Sequence, residues 1–363
     1  MNRKTKQPVP VNQARPTVVD IARRAGVAPM SVSRVINGSG YVSDAMRVKV
    51  LKAVRELDYH PNGLARSLKS QRTRVIGIVL PDIANPFAAQ LVSGIQEVLM
   101  ARGYNSFLCI SERSTEREEA GLRALFDHRV DGVIVATRET KGGNELLARL
   151  KGRDLPMVVV GREFRHREVD RVTADHEKGA HEAVKYLINA GHRRIGFVGV
   201  TSANGAGLHR FQGYLQALRD YGIAVEEALI VGPEALNGPG YSTQQDGYQG
   251  MQRLLALAKR PTAVFARNDF TAIGALCAIH DAGLNAPDDF SVVGFDDVPL
   301  AAYSSPPLTT VNQPTVEQGR QAATLLLERI EGDRHRARRE IVLNCHLIVR
   351  QSTGQRRALR RAA

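Results

Sequence analysis

Tryptophan is absent from this 363-residue chain, aromatic residues make up only 5% of it, and cysteine occurs three times, at Cys109, Cys277 and Cys345. Three widely spaced thiols give neither an even disulfide framework nor the paired spacing of a zinc site, so buried apolar thiols are the expectation. No apolar run approaches the roughly 18 residues that a membrane-spanning helix needs. The first 16 residues are basic and polar and lack the apolar stretch of a secretory leader, which points to a cytoplasmic protein. Also missing are the GxxxxGK[ST] loop, HExxH, GxSxG and GxGxxG, and the ten histidines show no ligand spacing. The chain therefore lacks the usual signatures of an enzyme, and neither cofactor nor metal is expected.

What is present is ample apolar material, 43% of residues, beside 24% charged. That length and balance suit a small domain plus one or two larger ones, each with its own core. The net charge of +13 is uneven: the first 74 residues hold 15 Lys/Arg against 4 Asp/Glu, and residues 332–363 hold 9 against 2, so the stretch between is mildly acidic. A basic head on an acidic body suits a polyanionic partner, because each neutralised phosphate releases counterions.

The head reads as three helices. Thr17 and Asp20 fit a capping box ahead of Ile21, Ala22 and Ala25, and Gly26 breaks that helix. Pro29 suits a first helical position, with a short second helix over 30–36 closed by Asn37 and Gly38. A third helix starts after Ser43, with Val48, Leu51, Val54 and Leu57 expected along its buried stripe. Helix, three-residue turn and helix is a DNA-binding geometry.

From residue 75 the pattern changes to short apolar runs at 75–80, 106–110, 132–136, 157–160, 195–198, 263–266 and 291–295. Amphipathic stretches such as 88–101, 115–128, 181–190, 208–221 and 248–258 lie between them. Alternation of this kind predicts an α/β body of doubly wound parallel sheets, and its length predicts two lobes, with ligands at the carboxyl ends of the strands.

The segment TVVDIARRAGVAPMSVSRVING over 17–38 resembles the DNA-binding head of the lactose and galactose repressor (LacI/GalR) family. The likeness continues through YHPN at 59–62, ARSL at 65–68, IGIVLPD at 76–82, NPF at 85–87 and Gly191-His192. It goes on through Asn268-Asp269, VGFDD at 293–297, PLTT at 307–310 and RQST at 350–353, covering 17 to about 354. It implies a tail at 1–16, a helix-turn-helix domain at 17–60, a hinge helix and linker at 61–74, a two-lobed, periplasmic-binding-protein-like body at 75–354 and a basic tail at 355–363. One lobe is expected to take 75–173 and 316–332, and the other 174–310 with a last strand near 341–349.

By the same resemblance, Pro29, Met30 and Arg34 meet base edges in the major groove. Arg34 can bind guanine bidentately, whereas Met30 offers only apolar contact, for instance to a thymine methyl. Family members with polar residues at positions 29 and 30 should therefore read a different half-site. Ser31, Ser33, Asn37, Thr17 and Asn62 are further DNA-facing candidates, and Leu68 corresponds to the leucine wedged into the minor groove at the operator centre. In the body the resemblance implies an effector between the lobes, with Phe87 stacking on it and Arg210 and Asp296 binding its polar atoms. A structural ion pair between Arg210 and Asp296 is the competing reading. Asn268 matches another ligand-contacting position, and Asp82, Arg162, Asp269 and Gln313 lie around the same cleft. For Asp175, helix capping and ligand contact both stay open, and His192 is expected to pack or cap.

The expected partners are pseudopalindromic double-stranded operator DNA, a small-molecule effector and a second copy of the chain. A homodimer is preferred because nothing after residue 354 repeats apolar residues every seven. A sugar or sugar derivative is the preferred effector; a nucleoside or purine ligand, or a phosphocarrier partner, is the alternative. A periplasmic sugar binder, an architectural DNA binder and an enzyme on the same scaffold are the rivals. The basic head and the missing leader weigh against the first, and the polar cleft residues against the second. The absent signatures weigh against the third.

Overall fold

The computed structural model describes residues 16–37, 39–59, 72–112, 114–136, 147–148, 154–161, 164, 168–199, 205–232 and 243–356. The expected tail before residue 16, residues 61–71 of the expected hinge and residues 357–363 lie outside them. The chain divides into a head, up to Thr73, and a body from Arg74 onward.

In the head, α1 (Val18–Ala25) opens on a reciprocal cap. The Thr17 amide and hydroxyl both donate to Asp20 Oδ2, at 2.9 and 2.7 Å, and the Asp20 amide donates to Thr17 Oγ1. These bonds satisfy donors that a bare helix end leaves to water, and they hold the Asp20 carboxyl below its ordinary range. Gly26 closes the helix at φ +66°, where a Cβ would be strained. Helix α2 (Pro29–Asn37) begins on its proline and α3 (Asp44–Glu56) follows Ser43. Ile21, Val32 and Val50 are fully buried where the three meet, with Ala22, Val35 and Ala53 around them.

The stripe expected on α3 needs correction. Val48 and Leu51 are exposed, and the packed face is Val50, Ala53, Val54 and Leu57. Residues three apart fall roughly 60° short of a full turn at each step, so such a stripe winds off the face. The set at i, i+3, i+4 and i+7 from Val50 stays on it.

The body holds two sheets. The first contains β1 (Val75–Leu80), β2 (Asn105–Ile110), β3 (Gly132–Val135), β4 (Met157–Val160), β5 (Asp170–Ala174) and β11 (Glu340–Leu343), in the order β11-β5-β4-β3-β1-β2 with every pairing parallel. The second contains β6 (Ile195–Val198), β7 (Ile230–Val231), β8 (Ala263–Ala266), β9 (Ser291–Asp296), β10 (Thr309–Asn312) and β12 (His346–Ile348), in the order β12-β10-β9-β8-β6-β7, with β12 antiparallel. This is the α/β, doubly wound architecture expected. Helices α4 (Pro86–Ala101) and α10 (Thr315–Glu331) pack on one face of the first sheet, through Leu91, Ile95 and Leu326. Helix α5 (Thr115–Asp127) covers the other with Leu122 and Leu125. In the second lobe α6 (His176–Asn189) and α7 (Gly205–Asp220) lie on the face that carries Phe197, Phe265 and Phe295. Helices α8 (Gln244–Leu255) and α9 (Asp269–Asp281) cover the opposite face.

The chain passes between lobes from β5 to α6, from β10 to α10 and from β11 to β12. The last of these corrects the single strand expected near 341–349. Its first half extends the first sheet beside β5 and its second half pairs with β10 in the other lobe. Neither half is fully buried, the first alternating between exposed and half-buried and the second running exposed, half-buried, half-buried, so their pattern carries no sign of which sheet each joins. The Asp175 amide donates to Leu343 O at 2.9 Å, tying two crossovers together.

Candidate functional site

On the head, α2 presents Pro29, Arg34 and Met30 outward, Met30 with 63% of its surface exposed, while Ser31 and Ser33 are half-buried. Thr17 is engaged in its cap. Asn37 is the last residue of α2, and Asn62 and Leu68 lie outside the described residues. The helix thus offers one long donor, Arg34, and one apolar contact, Met30, on a single outer surface. Flanking cations are partly neutralised: Arg24 pairs with Glu56 at 2.7 Å and Arg23 with Asp20 at 3.4 Å.

In the body, polar side chains collect at the carboxyl ends of the strands, where an open α/β sheet leaves its crevice. Asp296 ends β9 and Gln313 follows β10. Arg210 reaches the same place from α7: its Nη2 lies 2.9 Å from Asp296 Oδ1, both side chains are more than nine-tenths buried, and its Nη1 donates to Arg267 O at 2.8 Å. Gln313 Nε2 donates to the same Asp296 oxygen at 2.6 Å. The Arg210 guanidinium lies over the Phe295 ring, 3.8 Å from its centroid. Burial pushes the Asp296 carboxyl up, and the Arg210 charge opposes that shift.

Asn268 caps α9, accepting from the Thr271 amide at 2.9 Å. Asp269 is fully buried, accepting from the Val298 amide at 2.8 Å on one oxygen and from the Thr310 hydroxyl on the other. Asp82 and Phe87 belong to the other lobe. Asp82 accepts from the Asn85 amide at 3.0 Å, Asn85 caps α4 by accepting from the Phe87 amide at 2.9 Å, and the half-buried Phe87 ring packs against the first lobe's core. Arg162 lies outside the described residues. The structure therefore gathers Arg210, Asp296 and Gln313 into one bonded set with Asp269 behind it, and puts Asp82 and Phe87 at the equivalent edge of the first sheet. Asp175 caps α6 through the Lys178 amide at 3.1 Å. His192 bridges Thr262 and Ser291 at 2.9 and 3.0 Å, a packing role.

Sequence reasoning missed His176. It begins α6, is 5% exposed, and its ring centroid is 5.7 Å from that of Phe295, while its Nδ1 has no partner among the described residues. A histidine at the start of a helix carries no signal of this burial. Burial and the neighbouring Arg210 charge push its pKa well below the usual imidazole value. The unfolded chain therefore takes up this proton first, and the stability tied to the neutral ring is complete above about pH 6.5 and lost as the pH falls below it. The melting midpoint is expected to drop from pH 7 to 5, and His176→Leu to flatten that slope, His192, also depressed, supplying part of the remainder. Calorimetry checks this, and an equally steep slope in His176→Leu would contradict it.

Residues 17–62 match the family described as bacterial regulatory proteins, lacI family, and residues 184–353 match a periplasmic binding protein-like domain. The HTH-type transcriptional repressor PurR of Photobacterium profundum is 35% identical over 337 residues, covering 93% of this chain and 98% of that protein. The ribose operon repressor of Haemophilus influenzae is 36% identical over 336 residues, again 93% and 98%. Among solved structures, the lac repressor dimer bound to operator and the anti-inducer ONPF superposes with a TM-score of 0.82 at 27% identity, covering 93% of this chain and 99% of that one.

Proposed function

Since this chain belongs to the lacI family of bacterial regulatory proteins, we propose that it works in the cytoplasm as a homodimeric repressor whose hold on a pseudopalindromic operator is set by a small-molecule effector in its two-lobed body. As a family member it is a DNA-binding regulator and not an enzyme. The observation that carries the proposal is the union in one chain of an exposed Met30 and Arg34 helix with a buried Arg210, Asp296 and Gln313 set at the strand ends. A guanidinium and a carboxylate held side by side suit a ligand with adjacent hydroxyls, which donate to one and accept from the other. A sugar or sugar derivative is therefore the preferred effector, with Phe87 as the apolar wall. The PurR relatives favour a purine or nucleoside as the second reading.

Selection of bound fragments from random genomic DNA, followed by calorimetry with D-ribose, other sugars, purines and nucleosides, tests both halves. Loss of all sequence preference would end the operator reading; purine binding without sugar binding would replace the preferred effector. The hinge is tested apart. With Leu68 as the minor-groove wedge, Leu68→Ala is expected to weaken operator binding and reduce the DNA bend while leaving effector affinity unchanged. An unaltered bend in a gel-phasing assay would remove Leu68 from that role.

A further inference from the structure

Asp296 stands on a strained turn. Its φ is +119° and that of Asp297 is +55°, both in the half of conformational space that side chains other than glycine rarely occupy. Such strain persists only where surrounding bonds over-determine it. Asp297 is tied from two sides, accepting from Arg350 Nη2 at 2.7 Å and from Asn312 Nδ2 at 3.0 Å. The far end of the turn is tied by Asp269, which accepts the Val298 amide at 2.8 Å and the hydroxyl of Thr310 on β10. Gly294, two residues before Asp296, faces the same carboxylate, and a Cβ there would occupy the space of Asp269 Oδ1. The glycine thus leaves room behind β9 for Asp269 and, beside it, for Leu308.

We infer that Asp269 is a positioning residue of the cleft: it touches no ligand, and it holds the Asp296-Asp297-Val298 turn in the form that presents the Asp296 carboxylate to Arg210, Gln313 and the bound effector. Asp269 approaches from α9, on the opposite face of the sheet from Arg210 on α7, so Asp296 is gripped between the two helices at the end of its strand. Both Asp269 oxygens are engaged and the residue has no exposed surface, which leaves it no route to a ligand. The presentation to an effector rests on the cleft reading above; the latch does not.

The test uses the full chain without ligand. Three quantities are followed by NMR: protection of the Val298 amide, the carboxyl titration of Asp296, and the guanidinium signals of Arg210. Asp269→Ala removes both anchors, and the expected result is a loss of Val298 protection by about tenfold or more together with a displaced Asp296 titration. In Asp269→Asn the amide oxygen can still accept from Val298 and the NH2 group can donate to Thr310 Oγ1. Protection should survive, and the Asp296 titration should move less than in Asp269→Ala, since both anchoring bonds are kept. Gly294→Ala, which presses on Asp269 and on Leu308 without altering either, should shift the same signals as Asp269→Ala by less, and it carries the test with Asp269→Asn where the alanine variant does not fold. Unchanged Asp296 and Arg210 signals in folded Asp269→Ala or Gly294→Ala would overturn the inference and leave Asp269 as packing.

A second arm uses D-ribose or whichever panel compound binds. If Asp269 acts only through Asp296, the double variant Asp269→Ala/Asp296→Ala should bind it no more weakly than Asp296→Ala alone. A further loss of about tenfold would make Asp269 a direct contact. Should nothing in the panel bind, the cleft reading fails while the ligand-free signals still decide the latch.

Discussion

Replacing Arg34 with alanine is expected to cost about 1 to 3 kcal/mol of operator affinity in each half-site, and to relax discrimination at a single base pair. Arg34 is the long bidentate donor on the exposed face of α2, and Met30 beside it can add only apolar contact. A two-fold dimer makes each contact twice, so the loss against the full operator reaches roughly 2 to 6 kcal/mol. The rest of the head is rich in cations that attract any phosphate backbone, so non-specific affinity should fall far less than specific affinity. Titrations of both proteins against the selected operator, single-base variants of it and unrelated DNA, at fixed salt, separate these terms. A uniform loss on all three, with discrimination kept, would reassign Arg34 to a phosphate.

Much of the body was legible because its central strands are buried on both faces. Runs such as 75–80 and 263–266 have no solvent side and so contain almost nothing but apolar residues. Strand β5 was hidden because it begins Asp170-Arg171, and the fully buried Asp170 is paired with the equally buried Arg329 Nη2, 2.7 Å away and 159 residues along the chain, and with Arg339, whose amide donates to it at 2.8 Å. No local pattern announces a partner that distant. Strand β10 was hidden in the same way, since Thr309 and Thr310 are buried with hydroxyls bonded to Thr353 and Asp269. The α3 stripe failed for a geometric reason, the drift of a three-residue spacing around the helix. At the cleft, family likeness named Arg210, Asp296 and Gln313 and an ion pair between the first two stood as the competing reading, while the Gln313 bond and the turn beneath them had no sequence signal. His176 gave none at all, because its burial is set by helices α6 and α7 meeting over Phe295.

The pairing of Arg210 with Asp296 changes what their removal should do. Had the two side chains approached a ligand independently, Asp296→Ala would lower effector affinity alone. In the structure they meet at 2.9 Å with less than a tenth of either exposed, so deleting the carboxylate also strands a buried guanidinium. Breaking such a pair typically costs about 3 to 5 kcal/mol, a large part of the roughly 5 to 15 kcal/mol that holds a domain together. A sharp fall in melting temperature is therefore expected for Asp296→Ala and Arg210→Ala. Asp296→Asn, which keeps an acceptor for Arg210 and Gln313 but loses the charge, should be milder. Effector affinity should drop in all three, by about 1 to 3 kcal/mol or one to two decades, because a polar ligand atom is left unpaired in a closed cleft. Operator binding without effector should persist below the melting temperature, since the head's own core of Ile21, Val32 and Val50 is separate from the site. The expected result is a regulator fixed in its ligand-free state. Calorimetry with the identified effector, thermal melts and operator titrations with and without that compound read all three quantities together. Normal effector binding in Asp296→Asn and Arg210→Ala would make the pair purely structural, and loss of operator binding in folded, ligand-free protein would show that the pair governs the DNA-bound form itself.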